Sequence, residues 1–306
     1  MPARIIPPIL CPGDKIAIVA TARKISREEV QPAIGIFKSW GLEPVIDEDL
    51  FSVDHQFAGN DHTRAALFRK YLDDDSVKAI ISARGGYGTV RMVDEVDFSV
   101  LGKKPKWIIG YSDITVLHSH IHQHTNLVSL HAAMPVNMQP HNIDTSSIEA
   151  LRTALMGNAP MSYQVEADPL NRIGEAKGEL VGGNLSVLYS LLGSASDIDT
   201  TGKILFIEDL DEYLYHIDRM MQALKRAGKL KNLAGLMVGG MSDMRDNLIP
   251  YGHTAAEIIA GTVKEYDYPV CFGFPAGHER INMPLVMGKE VDIRISSAYC
   301  HFFANI

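Results

Sequence analysis

Polar and apolar positions in the first half of the chain follow two alternating periods. Short apolar runs stand at Lys15–Ala20 (KIAIVA), Val77–Ser82 (VKAIIS), Trp107–Ile109 and Leu127–Leu130, with a weaker one at Pro44–Ile46. Apolar runs of this length, bounded by turn formers, read as strands buried on both faces. Helical periods lie between them. Ser26 and Glu29 have capping-box spacing, and a helix pattern runs on to about Trp40. Asp61–Leu72 sets Ala65, Leu67, Phe68 and Leu72 in helical register, Gly88–Val96 reads as a short helix, and Ile114–Gln123 and Ser146–Met156 as further ones. Strands separated by helices predict a parallel sheet covered on both faces.

The pattern changes at Gly157–Gly178, which is polar, rich in turn residues and without helical period. Such a stretch reads as a crossing between domains. The expected division is an N-terminal α/β domain over 1–158, a linker over 159–174 and a C-terminal α/β domain over 175–306. In the second half, a Gly182–Asn184 turn opens a helix to Leu192, Lys203–Ile207 is a strand, and Tyr213–Ala227 is a strongly amphipathic helix ended by Gly228. Leu233–Gly240 and Val270–Phe274 read as strands, Ala255–Val263 as a helix, and Leu285–Met287 and Val291–Ile295 as strand-like segments.

Composition narrows the function classes. Of the 306 residues 46% are hydrophobic and 22% charged, with a formal net charge of −8. That balance argues against nucleic-acid binding as the main activity, which needs clustered Lys and Arg. No apolar run approaches the roughly 20 residues of a membrane span. The N-terminal segment is interrupted by Pro2, Pro7, Pro8 and Pro12 and has no long apolar core, so no signal peptide is expected. Cys11, Cys271 and Cys300 are widely spaced and form no CxxC pair. This suits a reducing compartment, leaves no disulfide framework or cysteine zinc site, and makes the cytoplasm the expected location.

Four short stretches hold chemistry-bearing residues. In Gly110-Tyr-Ser-Asp113 a small hydroxyl, Ser112, stands where a strand gives way to a helix. One reading is a helix N-cap; the other is a nucleophile whose neighbouring amide stabilises an oxyanion, although the second Gly of G-x-S-x-G is missing. Arg84-Gly-Gly-Tyr-Gly88 comes after a strand and is either a plain turn or an anion cradle. It is neither a Walker loop nor a dinucleotide fingerprint. Glu208, directly after an apolar run, is either part of a solvated acidic helix start or the carboxylate that orients a histidine. His278, in a loop after a strand, is either a surface histidine or a general base. The alternating His118, His120, His122 and His124 make two i,i+4 pairs on a helix. No H-E-x-x-H and no third ligand accompany them, and the pairs face different sides, so no metal site is expected.

Taken in order, "ARGGYGTVRMVDEVDF" (Ala83–Phe98), "IIGYSDITVLH" (Ile108–His118), "GGNLSVL" (Gly182–Leu188), "FIEDLDEYLYHIDRMMQAL" (Phe206–Leu224) and "GFPAGH" (Gly273–His278) resemble the LD-carboxypeptidase family of serine peptidases, the muramoyltetrapeptide carboxypeptidases. The resemblance spans nearly the whole chain. It implies a doubly wound, flavodoxin-like parallel-sheet domain and, after it, a mixed α/β domain of swivelling β/β/α type. It also implies a Ser–His–Glu triad of Ser112, His278 and Glu208, with the backbone N–H groups of Gly86 and Asp113 as the oxyanion hole and the site at the domain interface. Two loops depart from the family pattern: Ala20-Thr21-Ala22 stands in place of "APS", and His131-Ala132-Ala133 in place of "HGP".

The activity implied by the resemblance is release of terminal D-Ala from a murein tetrapeptide in peptidoglycan recycling, without cofactor or metal. A homodimer acting on a small muropeptide is expected, with neither nucleic acid nor membrane as a partner. Arg84 is the candidate donor for the substrate's free carboxylate. Two alternatives stand beside this: a microcin-immunity peptidase cutting amide bonds in peptidyl or aminoacyl nucleotides, and a non-catalytic peptide-binding relative.

Overall fold

A computed structural model describes residues 4–139, 141, 144–157 and 159–305. Pro2 and the boundary expected at Asn158 lie outside the described residues. In chain order the strands are β1 (Lys15–Val19), β2 (Glu43–Val45), β3 (Val77–Ser82), β4 (Trp107–Gly110), β5 (Ser129–His131), β6 (Met161–Glu166), β7 (Gly174–Asn184), β8 (Ile204–Leu210), β9 (Gly235–Ser242), β10 (Val270–Cys271), β11 (Leu285–Met287), β12 (Glu290–Ile295) and β13 (Tyr299–Ala304). The α-helices are α1 (Arg27–Ser39), α2 (Asp61–Asp73), α3 (Thr115–His124), α4 (Thr145–Met156), α5 (Leu185–Leu191), α6 (Leu214–Arg226) and α7 (Ala255–Thr262).

The chain divides into two compact units, Met1–Ala159 with Arg280–Met287, and Pro160–Glu279 with Gly288–Ile306. The first holds a six-stranded sheet in the order β11-β5-β4-β3-β1-β2. β2 to β5 run parallel with β1, and only β11 is antiparallel. This is the flavodoxin-like order, whose direction of winding reverses between β1 and β3. Ile16, Ile18, Ile81, Trp107 and Ile109 are at most 1% exposed, which explains why these strands are apolar throughout rather than alternating. Helix α1 starts with the expected capping box of Ser26 and Glu29, worth about 1 kcal/mol.

The second unit holds a seven-stranded mixed sheet in the order β10-β9-β8-β7-β12-β13-β6. β7 to β10 are parallel, and β12, β13 and β6 continue the sheet antiparallel. Ile217, Met220, Met221 and Leu224 form the apolar stripe of α6 and join Leu205, Ile207, Leu236 and Val238 of the sheet in one core. Among the described residues no helix is long and apolar enough to cross a membrane.

Four elements differ from the sequence reading. The span 159–174, expected as a linker, contains β6, whose Met161, Tyr163 and Val165 alternate with polar residues as an edge strand requires. The Gly182–Asn184 turn is the end of the long strand β7. The short helix expected over Gly88–Val96 is a pair of 3₁₀ turns, Thr89–Arg91 and Val93–Glu95, because Gly88 at φ +146° stands outside helical space and the Thr89 amide is taken by a side chain. Arg280–Met287, expected within the C-terminal domain, supplies β11 to the first sheet, where Asn282 N–H also bonds Ser147 Oγ of α4 at 3.0 Å.

Candidate active site

In the first unit, β4 ends at Gly110, Tyr111 is extended, and Ser112 turns to φ +63° as it opens a 3₁₀ turn that leads into α3. A left-handed backbone at a residue with a side chain costs about 1–2 kcal/mol. It is the geometry that exposes a nucleophile at a strand-to-helix corner. Ser112 does not occupy the N-cap position; Tyr111 does, and its side chain makes no capping bond.

The Arg84–Gly88 turn lies against this corner. A Cβ on Gly85 would stand 2.9 Å from Ser112 Cβ and 3.0 Å from its Oγ, so only glycine permits the approach. Gly86 sits at φ +110°, and a Cβ there would run into the stem of Arg23. The turn is fastened by the next residue of the corner. Asp113, 3% exposed, accepts the Thr89 N–H at 2.8 Å. Burial raises the Asp113 pKa, and the Thr89 bonds and the Arg64 charge oppose that rise.

Arg64 of α2 closes the network. It is 1% exposed and donates from Nη1 to the carbonyls of Thr21 at 2.6 Å and Gly88 at 2.8 Å. Its Nη2 pairs with Asp61, which also binds Arg91 through both oxygens. Thr21 Oγ1 and Thr89 Oγ1 lie 2.9 Å apart. One buried guanidinium thus ties the loops after β1 and β3 together, and Thr21, in the departing Ala20-Thr21-Ala22 loop, is part of that tie.

Behind the corner, His118 Nε2–H donates to the Gly110 carbonyl at 2.8 Å, which leaves Nδ1 to accept from Ser129 Oγ at 2.7 Å. Burial lowers its pKa to about 4, against the Gly110 bond, so the ring is neutral. His131, in the second departing loop, sits edge-on to Tyr111 at 5.7 Å, and the Tyr111 hydroxyl accepts from Asn137 at 2.9 Å. Two members of the histidine run are occupied by protein partners: His118 as described, and His122 Nε2 by Arg4 at 3.0 Å. Among the described residues no group of three metal-ligating side chains converges.

In the second unit Glu208 lies on β8 with no exposed surface, and its Oε2 accepts His278 Nδ1–H at 2.7 Å. The carboxylate can only accept, so Nδ1 carries the proton and neutral His278 keeps its Nε2 lone pair. The ring is 14% exposed. Gly277, at φ +113°, lets the loop descend onto Glu208: a Cβ there would stand 2.7 Å from Oε2. Ser242 Oγ holds the same loop by donating to the His278 carbonyl at 2.9 Å. Burial lowers the His278 pKa, but the Glu208 charge and hydrogen bond, with Asp209 and Glu279, outweigh it and the net shift is upward. Asp209, 2% exposed, is pushed up to about 7 by burial and by Glu208. It accepts from Asn184 Nδ2 and the Ser186 amide, each at 2.9 Å, beside an irregularity in the β8–β9 register between Ile207 and Asp209. A carboxylate-oriented imidazole of this kind is equipped for general-base chemistry.

Of the residues the sequence points to, Glu208 and His278 are bonded in one unit, while Ser112, Asp113, Gly86 and Arg84 stand together in the other. The sequence reading assigns no role to Arg64, His118 or Asp209. Arg64 is discernible: in DHTRAALFRKYL it falls at helical spacing with Phe68 and Leu72, on the apolar stripe, where an unpaired arginine has no place.

An α/β frame with a serine at a strand-to-helix corner and a buried carboxylate–histidine pair defines a class of hydrolase, and comparison with known proteins places the chain within it. Residues 16–132 match the LD-carboxypeptidase N-terminal domain and residues 177–293 the LD-carboxypeptidase C-terminal domain. The "Probable murein peptide carboxypeptidase" of Bacillus subtilis (strain 168) is 37% identical over 294 residues, covering 93% of this chain and 90% of the relative. The crystal structure of muramoyltetrapeptide carboxypeptidase from Oxalobacter formigenes aligns with a TM-score of 0.87 at 26% identity, covering 95% of this chain and 99% of that one. The microcin C7 self-immunity protein in complex with aspartyl sulfamoyl adenosine aligns with a TM-score of 0.88, covering 100% and 99%, but at 19% identity it shows the fold alone. The chain belongs to the LD-carboxypeptidase family, and it is a serine-type peptidase.

Proposed function

We propose that this peptidase releases the terminal D-alanine of a murein tetrapeptide through an acyl-enzyme, with Ser112, His278 and Glu208 as its triad. His278 Nε2 takes the Ser112 proton as Oγ attacks the carbonyl carbon before the D-alanine. The oxyanion is received by the Asp113 and Gly86 N–H groups. Imidazolium returns the proton to the departing amine, and Glu208 stabilises its charge and fixes its tautomer. Water then attacks the ester, His278 takes its proton, and Ser112 is regenerated as the tripeptide leaves. The observation that carries this reading is the fully buried Glu208 carboxylate on His278 Nδ1. The names of the Bacillus and Oxalobacter relatives support the substrate class. Peptidoglycan recycling, a cytoplasmic location and a homodimer belong to the same proposal, on family resemblance.

The test is D-alanine release from a murein tetrapeptide, measured by mass spectrometry. Ser112→Ala is expected to lower kcat by about 10³-fold or more. Near wild-type release by Ser112→Ala would overturn the mechanism. Hydrolysis of an aminoacyl nucleotide but not of the tetrapeptide would favour the microcin-immunity reading, which rests on likeness of fold.

A further inference from the structure

We infer that Arg23, and not Arg84, receives the free carboxylate of the departing residue; the assignment rests on the carboxypeptidase reading above. Arg84 is already engaged. Its Nη1 lies 3.3 Å from the Lys24 carbonyl and 3.4 Å from Glu29 Oε1, so it braces the loop after β1 against the first turn of α1. Glu29 is itself fixed by its capping-box bond to the Ser26 amide at 2.8 Å.

Arg23 is exposed, and among the described residues its guanidinium makes no hydrogen bond or ion pair. Its stem runs along the glycine turn: Cβ, Cγ and Cδ lie so close to Gly86 that a side chain on Gly86 would collide with them. Gly86 in turn comes next to Gly85, the residue packed on Ser112 Cβ and Oγ. Arg23 and the glycine turn therefore stand at the carboxyl ends of β1 and β3, the pair between which the strand order reverses. Ligands of doubly wound sheets bind outside such a reversal.

The reach agrees with the reaction. A carboxypeptidase substrate has its terminal carboxylate one residue beyond the carbonyl under attack, a distance of roughly 3.5 Å. If the carbonyl oxygen lies at the Gly86 N–H, a guanidinium whose stem runs along Gly86 needs only its last bonds to span that distance. A planar fork of donors matches a carboxylate bidentately, which an ammonium does not. An endopeptidase substrate, with an amide at the same place, would leave the fork without its charged partner.

The experiment compares kcat/KM for the murein tetrapeptide and for the same peptide ending in D-alaninamide. In Arg23→Ala the free acid is expected to lose about 10- to 100-fold and the amide less than about twofold, so the amide also reports a folded enzyme. Arg23→Lys is expected to fall between. Lys24→Ala controls for general positive field, because Lys24 is exposed but does not lie on Gly86. An equal loss on both peptides, no loss on either, or an acid-selective loss of the same size in Lys24→Ala would each overturn the assignment. If wild-type enzyme releases neither D-alanine nor D-alaninamide while Arg23 is intact, the carboxypeptidase reading itself falls, and the assignment with it.

Discussion

The serine corner and the histidine loop reach reactivity by different physical routes. Around Ser112 the tools are backbone: a left-handed serine, a glycine turn pressed against it, and amides beside it, with the charges of Asp113 and Arg64 used as fasteners. Around His278 the tools are charges themselves, two adjacent buried carboxylates of which one grips the ring. The first arrangement places its reactive group by backbone geometry. The second is a titrating device, because each carboxylate changes the proton affinity of its neighbours. A serine hydrolase needs both, since a nucleophile must be placed and a base must be tuned.

The largest expected effect breaks the charged side. Glu208→Gln keeps the shape but lets the imidazole take the wrong tautomer, and single-turnover kinetics should show kcat lowered by about 10³- to 10⁴-fold. A loss under tenfold would mean that the buried carboxylate is not what orients His278. Next comes the backbone side. Arg64→Met strips the buried Thr21 and Gly88 carbonyls of their common donor, while Asp61 keeps Arg91, and leaving buried acceptors unsatisfied costs about 1–3 kcal/mol. Denaturant unfolding should show that loss, and a change below about 1 kcal/mol would show that the loops hold without it.

The smallest effect separates the two designs by pH. His278 must be neutral to act as a base, and its pKa is raised, so activity should fall as pH drops through a value above the ordinary 6.5. Asp209 is among the charges that raise it, so Asp209→Asn should move this acid limb to lower pH. A pH profile of kcat/KM checks the sign; a shift to higher pH would refute it.

The legibility of each part tracks its physics. β1, β3 and β4 are plain because strands buried on both faces are apolar throughout, and α6 because its stripe repeats at 3.6 residues. β6 is hidden because an edge strand half exposed to water carries Ser162, Gln164 and Glu166 between its apolar residues, which reads as loop when helical period is sought. β13 gives no clear signal, and β11 is legible as a strand but not as part of the first sheet, since reading along the chain keeps neighbours in sequence together. Ser112, Glu208 and His278 are singled out by the joint occurrence of five motifs, because each has a bland reading by itself. The fasteners have no such signal: His118 looks like one of four alternating histidines, and nothing in its spacing tells that it would hold the Gly110 carbonyl.

The antiparallel strand β11 has a consequence for the making of the protein. A ribosome delivers Ser129–His131 long before Leu285–Met287, so β5 leaves the exit tunnel with one row of amides and carbonyls bare. The sheet that supports Ser112 is therefore completed by a segment made after most of the second unit. A nascent or truncated polypeptide lacking that late segment holds Ser112 on an open-edged layer, and protection of that edge depends on synthesis passing Met287.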